Sequence, residues 1–255
     1  MTQEALGSLE LNRIYQRDCL EGMRDIPDKS IDMILCDLPY GTTRNKWDSI
    51  IPLDELWTQY ERIIKDNGAV VLTAQTPFDK VLGASNLKLL RYEWIWDKVL
   101  GTGHLNAKRA PMKRHENILV FYKRQPTYNP QMVPGEPYDK GTVTKFSSNY
   151  GKQRKVRVKN TSGDRYPTSI IVESNAARRG KLHPTQKPVK LFEYLIRTYT
   201  NEGEIVLDNC MGSGTTAVAA LRSNRKFIGF ELEPEYVEIA NKRISDELKT
   251  IKDAI

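Results

Sequence analysis

The sequence predicts an α/β fold, a parallel sheet with helices between its strands and a basic insert in its middle. Three observations lead there. Short apolar runs alternate with helix-like patterns over residues 10–123 and again over 188–249, the order of a sheet built from strand–helix–strand units. Residues 124–179 lose helical periodicity and gather Pro126, Pro130, Pro134 and Pro137 among Ser, Gly and Asn, as loops do. Charge divides along the same lines. The net charge is +7, but residues 98–190 hold 20 Lys and Arg against 5 Asp and Glu, a local +15. That leaves 19 basic and 27 acidic side chains, or −8, for the rest.

Element by element, residues 30–36 (SIDMILC) read as a strand. Residues 52–65 read as a helix, with Pro52 in its first turn, Leu53, Leu56, Tyr60, Ile63 and Ile64 on one face, and 66–68 (DNG) stopping it. Strands follow at 68–73 (GAVVLT), 91–96 (RYEWIW) and 116–122 (ENILVFY). Within the basic stretch, GKQRKVRVKN at 151–160 alternates charge with Val in a strand-like way over 155–159, and parts of this stretch are expected to order only on binding. After it come a helix at 188–200 with Leu191, Leu195 and Ile196 apolar, a strand at 204–208 (EIVLD), a helix at 215–223, a strand at 226–232 and a final helix at 234–249. There is no internal repeat and no low-complexity tract.

Several classes are excluded. The 255 residues are 39% apolar, enough for one sizeable core. The longest apolar runs, at 118–122 and 69–72, fall far short of the roughly 18 residues a bilayer span needs. The first 20 residues carry Glu4, Glu10, Arg13, Arg17 and Asp18 without an apolar stretch, so no secretory leader is expected. Cys19, Cys36 and Cys210 form no CxxC, and His104, His115 and His183 are scattered. The expectation is a reduced, metal-free cytoplasmic protein that uses no membrane.

Gly212 and Gly214 stand between the strand ending at Asp208 and the helix starting near Thr215, and with Ala217 they satisfy the G-x-G-x-x-G/A pattern. Glu231 closes the next strand 23 residues after Asp208, the spacing of a carboxylate that accepts from ribose hydroxyls. A lone glycine pair is met in bland turns; the strand–loop–helix–strand–acid order makes this one specific. Asp208 beside a helix N-terminus repels a pyrophosphate, which disfavours a nicotinamide cofactor. It suits a ligand bearing both ammonium and carboxylate, such as S-adenosyl-L-methionine. Asp208 would meet the ammonium, and backbone N–H groups or the Thr215 and Thr216 hydroxyls the carboxylate.

Asp37, Leu38, Pro39 and Tyr40 (DLPY) follow the strand at 30–36. Alone, they read first as a surface turn after a strand, with Tyr40 packed for structure. Beside such a cofactor their chemistry is pointed. An exocyclic amine of adenine or cytosine is a poor nucleophile, because its lone pair is delocalised into the ring. The Asp37 carboxylate and the carbonyl of Leu38 or Pro39 can accept its two N–H bonds and favour a pyramidal nitrogen. Tyr40 offers a π-face to a base that has left the duplex. Catalysis of this kind is chiefly positioning for an in-line transfer.

DLPY, then HPTQKP at 183–188, DNCMGSGTT at 208–216 and GFELEPEYVEIA at 229–240 resemble the DNA amino-methyltransferases, in the motif order of the β class. The resemblance implies a Rossmann-like S-adenosylmethionine-dependent methyltransferase sheet in circularly permuted motif order. One methyltransferase domain then spans 1–255, with about 124–180 as its inserted target-recognition region. It also implies cofactor roles for Asp208, Gly212, Gly214, Thr215, Thr216 and Glu231, for Asp18 against the adenine, and for Thr185 and Lys187 over the methionine end. Where the family usually reads DPFMGSGTT this chain has Asn209 and Cys210, so those two contacts are not carried over. Asp at the first position of the tetrapeptide favours adenine-N6 chemistry; cytosine-N4 members more often carry Ser. Cytosine-C5 chemistry is disfavoured, since no cysteine follows a proline; small buried packing residues are the expected role of all three.

The basic side chains fall into clusters: Lys108, Arg109, Lys113 and Arg114; Arg154, Lys155, Arg157 and Lys159; and Arg178 and Arg179 with Lys181. Such clusters on an otherwise acidic chain point to phosphate contact with double-stranded DNA. Arg44 and Lys46, just after Tyr40, join them as candidates for contact near an extruded base. Family members are often homodimers and often act beside a cognate restriction endonuclease, so both are implied partners. The reading favoured is site-specific adenine-N6 methylation of DNA. Its alternatives are cytosine-N4 methylation, RNA methylation on the same fold, a binding protein without turnover, and an NAD-dependent oxidoreductase.

Overall fold

The computed structural model describes residues 4–41, 49–143, 146–147, 151–152, 156–175 and 186–253. The chain begins with β1 (Ala5–Leu6), β2 (Leu9–Glu10), β3 (Arg13–Gln16), α1 (Cys19–Met23) and β4 (Ile31–Asp37). It continues through α2 (Leu53–Ile63), β5 (Ile64–Ala74), α3 (Phe78–Ser85), β6 (Leu90–Thr102), a 3₁₀ turn (His104–Asn106) and β7 (Lys113–Phe121). Four strands follow: β8 (Tyr138–Val143), β9 (Phe146–Ser147), β10 (Gly151–Lys152) and β11 (Val156–Asn160). The chain then runs β12 (Ile170–Val172), α4 (Val189–Tyr199), β13 (Ile205–Asp208), α5 (Thr215–Arg222), β14 (Lys226–Glu231) and α6 (Pro234–Asp253).

Eight strands form one sheet in the order β12-β6-β7-β5-β4-β13-β14-β3. Their alternation builds two apolar layers, because successive side chains leave opposite faces of a strand. Ile34, Cys36, Val70 and Leu72 pack with Met23, Leu56, Tyr60 and Leu82 of α1–α3. Met33, Leu35, Ala69 and Val71 pack with Leu191, Leu195, Ala217 and Ile244 of α4–α6. The sheet is not wholly parallel, which corrects the sequence-based expectation: β7 runs antiparallel to both β5 and β6. Only residues 103–112 join β6 to β7, fewer than the dozen or so a parallel crossover needs, so the chain turns straight back.

The helix read at 52–65, α2, also differs from its prediction. It ends at Ile63, and Ile64 is already extended, with ψ 135°. Residues 66–68 lie inside β5, at a register shift against β4. A Cβ on Gly68 would come within 2.8 Å of the Asp32 carbonyl oxygen, so glycine lets the irregular strand close on its neighbour instead of stopping a helix. The face of α2 that is buried is Leu56, Trp57, Tyr60 and Ile63, each side chain adding about 1.5–3 kcal/mol of burial.

The chain divides into two compact units, one of Met1–Asn129 with Ser169–Ile255 and one of Pro130–Thr168. In the second, β8 pairs antiparallel with β11, β9 with β10, and Val133 bridges to Arg165. Of the alternating stretch read at 155–159, residues 156–159 belong to this ladder, and Lys155 lies outside the described residues. This unit is narrower than the loop-rich stretch at 124–180, since β12 pairs in parallel with β6 in the large sheet. Among the described residues, no helix is long and apolar enough to cross a membrane.

Candidate functional site

In the large unit, β4 continues through α2 to β5 on one side, while its neighbour β13 continues through α5 to β14 on the other. Ligands of open α/β sheets bind at such a reversal, outside the carboxyl ends of the strands. A cavity of about 620 Å³ lies there, within the usual range for a small-molecule site. It is lined by Asp18 after β3, Asp37–Tyr40 at the end of β4, Asp208–Ser213 at the end of β13 and Glu231 at the end of β14.

One end of the cavity is built by the glycine loop. Asp208 is 2% exposed; its Oδ1 accepts from the Cys210 N–H at 3.0 Å and its Oδ2 from the Thr216 hydroxyl. Burial pushes its carboxyl up to about 6, although those two donors pull the other way. Among the described residues no basic side chain forms an ion pair with it. Glu231 accepts from the Gly212 N–H at 2.7 Å and the Glu233 N–H at 2.9 Å, and burial raises its carboxyl too. Gly212 and Gly214 have φ of +52° and +82°, and a Cβ on Gly214 would lie 2.9 Å from the Ala240 Cβ. Glycine is required there by both strain and space. Thr215 is buried, its hydroxyl 3.5 Å from the Lys187 carbonyl oxygen. Asp18 caps α1 through the Glu21 N–H.

A desolvated carboxylate in need of a cation, a second carboxylate clamped by backbone N–H groups, and a glycine turn fit a ligand with an ammonium and ribose hydroxyls. The fit extends to the neighbouring thiols. The neighbouring Cys210 and burial raise the Cys19 thiol, and burial pushes the Cys36 thiol up to about 12. They stay protonated packing groups. Asn209 turns inward to accept from the Tyr60 hydroxyl.

The other end belongs to DLPY. Leu38 is buried and Pro39 half-buried. Asp37 Oδ1 accepts from the Thr73 hydroxyl, from the Tyr40 hydroxyl at 2.7 Å and from Lys187 Nζ at 2.8 Å, and Oδ2 accepts from the same Nζ at 2.8 Å. Lys187 also lies 3.2 Å from Glu116 Oε2, an ionic contact without hydrogen-bond alignment, and Lys98 lies 3.2 Å from Glu116 Oε1. Lys98, Glu116, Lys187 and Asp37 thus alternate in sign along a mostly buried row. Burial works against the Lys187 ammonium, but Asp37, Tyr40 and Glu116 outweigh it and hold the proton well above the usual lysine range. The Tyr40 ring stacks on Phe78 at 5.5 Å.

The structure therefore gathers Asp18, Asp37, Leu38, Pro39, Tyr40, Lys187, Asp208, Gly212, Thr215, Thr216 and Glu231 around one cavity, with Gly214 supporting its loop. It places the Lys187 head group on Asp37, the DLPY end. The Thr216 hydroxyl is spent on Asp208. Lys108, Arg109 and Lys113 are exposed; Arg114 is exposed but grips Asp97 with two bonds of 2.7 and 2.8 Å. In the second unit Lys159 is exposed and Arg157 pairs with Asp139 at 2.7 Å. Arg44, Lys46, Arg154, Lys155, Arg178, Arg179 and Thr185 lie outside the described residues. Sequence reasoning missed Thr73, Lys98 and Glu116. The signal available was a polar residue at the end of each apolar strand, Thr73 closing one and Glu116 opening another.

Comparison with known proteins gives the same picture. The N6/N4 DNA methylase family matches residues 31–242. The chain is 32% identical to the Type II methyltransferase M1.MboII of Moraxella bovis, over 91% of this chain and 96% of that protein. It is 26% identical to the DNA adenine methyltransferase YhdJ of Escherichia coli (strain K12), over 92% and 83%. Its fold is similar to that of M1.HpyAVI in complex with SAM, with a TM-score of 0.63 at 25% identity over 91% of this chain and 98% of that one. It is also similar in fold to the cytosine-N4-specific PvuII DNA methyltransferase, with a TM-score of 0.68 at 18% identity over 93% and 91%. The chain belongs to the N6/N4 DNA methylase family, S-adenosylmethionine-dependent enzymes that methylate an exocyclic amine of adenine or cytosine in DNA.

Proposed function

We propose that this enzyme methylates the N6 amine of adenine at a specific site in double-stranded DNA. The observation that carries the reading is the Asp37 carboxylate, fixed by Thr73, Tyr40 and Lys187 at the edge of the cavity that Asp208 and Glu231 also line. S-adenosylmethionine, when bound, supplies an electrophilic methyl group on a sulfonium. Asp208 would hold its ammonium, Glu231 its ribose hydroxyls, the N-terminus of α5 and Thr215 its carboxylate, and Asp18 its adenine side. Gly212 and Gly214 let the loop approach.

Asp37 accepts one N–H of the target amine and the Leu38 or Pro39 carbonyl the other, which turns the nitrogen lone pair toward the methyl group. Tyr40 stacks on the base. Lys187 holds Asp37 fixed in direction through both carboxylate oxygens. The surplus proton of the methylated amine leaves by way of the Asp37 carboxylate to solvent. Asp at position 37 favours adenine, and the similarity to the E. coli adenine enzyme supports it. Cytosine-N4 is the second reading, favoured by the fold similarity to the PvuII enzyme. Pro130–Thr168, with Arg157 and Lys159 in its main ladder, is the target-recognition insert of the single methyltransferase domain, and Lys108, Arg109 and Lys113 contact phosphates. A homodimer and a cognate endonuclease complete the proposed partners, in a cytoplasmic setting.

The test is transfer of labelled methyl from S-adenosylmethionine to unmethylated duplex DNA, followed by nucleoside analysis. N6-methyladenine from the wild type and its loss in Asp37→Ala are expected. N4-methylcytosine as the product would replace the adenine reading, and full activity of Asp37→Ala would sink the assigned mechanism.

A further inference from the structure

The hairpin that joins β6 to β7 carries an apolar tip at odds with its surroundings. Leu105, in the 3₁₀ turn, is 89% exposed, and Val99, Leu100 and Met112 are 42–46% exposed. Isolated exposed apolar side chains need no explanation, but four on one short hairpin do. The backbone holds them out at a cost. Val99 has φ +68°, a conformation that a β-branched residue adopts only under constraint. The constraint is visible: the Asp97 carboxylate accepts from the Val99 N–H at 2.8 Å and is itself gripped by Arg114. Between Asp97 and Thr102 the register of β6 slips, with five steps on β6 against two on β7, so the extra residues bulge outward.

Charge says what this tip meets. Lys108, Arg109 and Lys113 are exposed beside it, and no Asp or Glu occurs between Lys98 and His115. A basic collar around apolar side chains fits a polyanion with a hydrophobic interior, which describes stacked duplex DNA. The hairpin is also well placed. Lys98, Thr102 and Glu116 line the candidate catalytic cavity, and Leu105 is three residues beyond Thr102, at most about 10 Å of chain.

We propose that the β6–β7 hairpin is a DNA-inserting wedge, with Leu105 entering the base stack where the target nucleotide leaves it. This rests on the reading of the chain as a duplex-DNA methyltransferase. Extruding a base from a paired stack is costly, and an apolar side chain that fills the gap offsets lost stacking. Lys108, Arg109 and Lys113 hold the flanking phosphates while Leu105 fills.

The duplex for the test carries the sequence that the wild type methylates, read by sequencing modified bases in DNA from an expressing strain. Single-turnover methylation is measured for wild type and Leu105→Ala on this duplex and on one with an abasic site opposite the target base, where extrusion is cheap. Leu105→Ala is expected to be about tenfold or more slower on the paired duplex and to recover to within about twofold of wild type on the abasic one. Its affinity for S-adenosylmethionine stays unchanged, since Leu105 lies outside the cavity wall. An unaffected rate on the paired duplex, or an equal loss on both duplexes, overturns the wedge while the methyltransferase reading stands. A wild type that methylates no duplex DNA overturns both.

Discussion

Replacing Lys187 by Met removes one positive charge from the row Lys98–Glu116–Lys187–Asp37 and leaves two carboxylates with only Lys98. The Lys187 contacts are 2.8 Å to Asp37 and 3.2 Å to Glu116. At an effective dielectric of about 20 these are gross attractions of about 6 and 5 kcal/mol. Removing the ammonium also relieves its own desolvation, several kcal/mol for a buried ion. The net loss of stability should be about 3–5 kcal/mol, the usual cost of orphaning a buried charge. Against burial, Asp37, Tyr40 and Glu116 hold the Lys187 ammonium well above the usual lysine range. A proton held more tightly in the folded than in the unfolded state contributes stability that is complete below the unfolded lysine value and lost only as pH rises through the folded one, so the deficit of Lys187→Met should be about the same at pH 5 and pH 8. kcat should fall, because Asp37 loses the contact that fixes its direction. Urea unfolding at both pH values and kcat for methyl transfer measure this. Adding Glu116→Gln removes one orphaned charge and should recover part of the stability. A loss under about 1 kcal/mol with kcat unchanged would refute the reasoning.

Other consequences follow from the cofactor end and the basic surface. Asp208, lifted by burial from 3.8 to about 6, contributes stability to the ligand-free protein below its unfolded value and loses it as pH rises through about 6. An ammonium ligand cancels that penalty, so the Tm increase produced by S-adenosylmethionine should grow between pH 5 and 7 and become nearly flat in Asp208→Asn. Gly214→Ala places a Cβ 2.9 Å from that of Ala240 at φ +82°, and calorimetry should find about 1–3 kcal/mol lost together with weakened cofactor binding. Replacing Lys108 and Arg109 by Ala should lower the slope of log affinity for duplex DNA against log salt by about 1.8, at 0.9 per phosphate contact. A slope equal to that of the wild type would remove both residues from the DNA surface.

Much of the molecule was legible in the sequence because it depends on local pattern. Short apolar runs marked β4, β13 and β14, and the Gly212–Gly214 turn with Glu231 marked one end of the cavity, since a loop that needs positive φ must write glycine where the chain needs it. The uneven charge marked the basic stretch. Tertiary structure decided what lies across the sheet. Lys187 reaches Asp37 over 150 positions, and Thr73 reaches it only because β5 pairs beside β4 in that register. Glu116 faces the same row because β7 runs antiparallel, a direction set by the short link from β6 and invisible in its apolar run. Residues that carry chemistry through their own backbone or spacing can be read one at a time. A charge whose value depends on its neighbours belongs to the fold, because Coulomb energy and desolvation depend on distance in space and not along the chain.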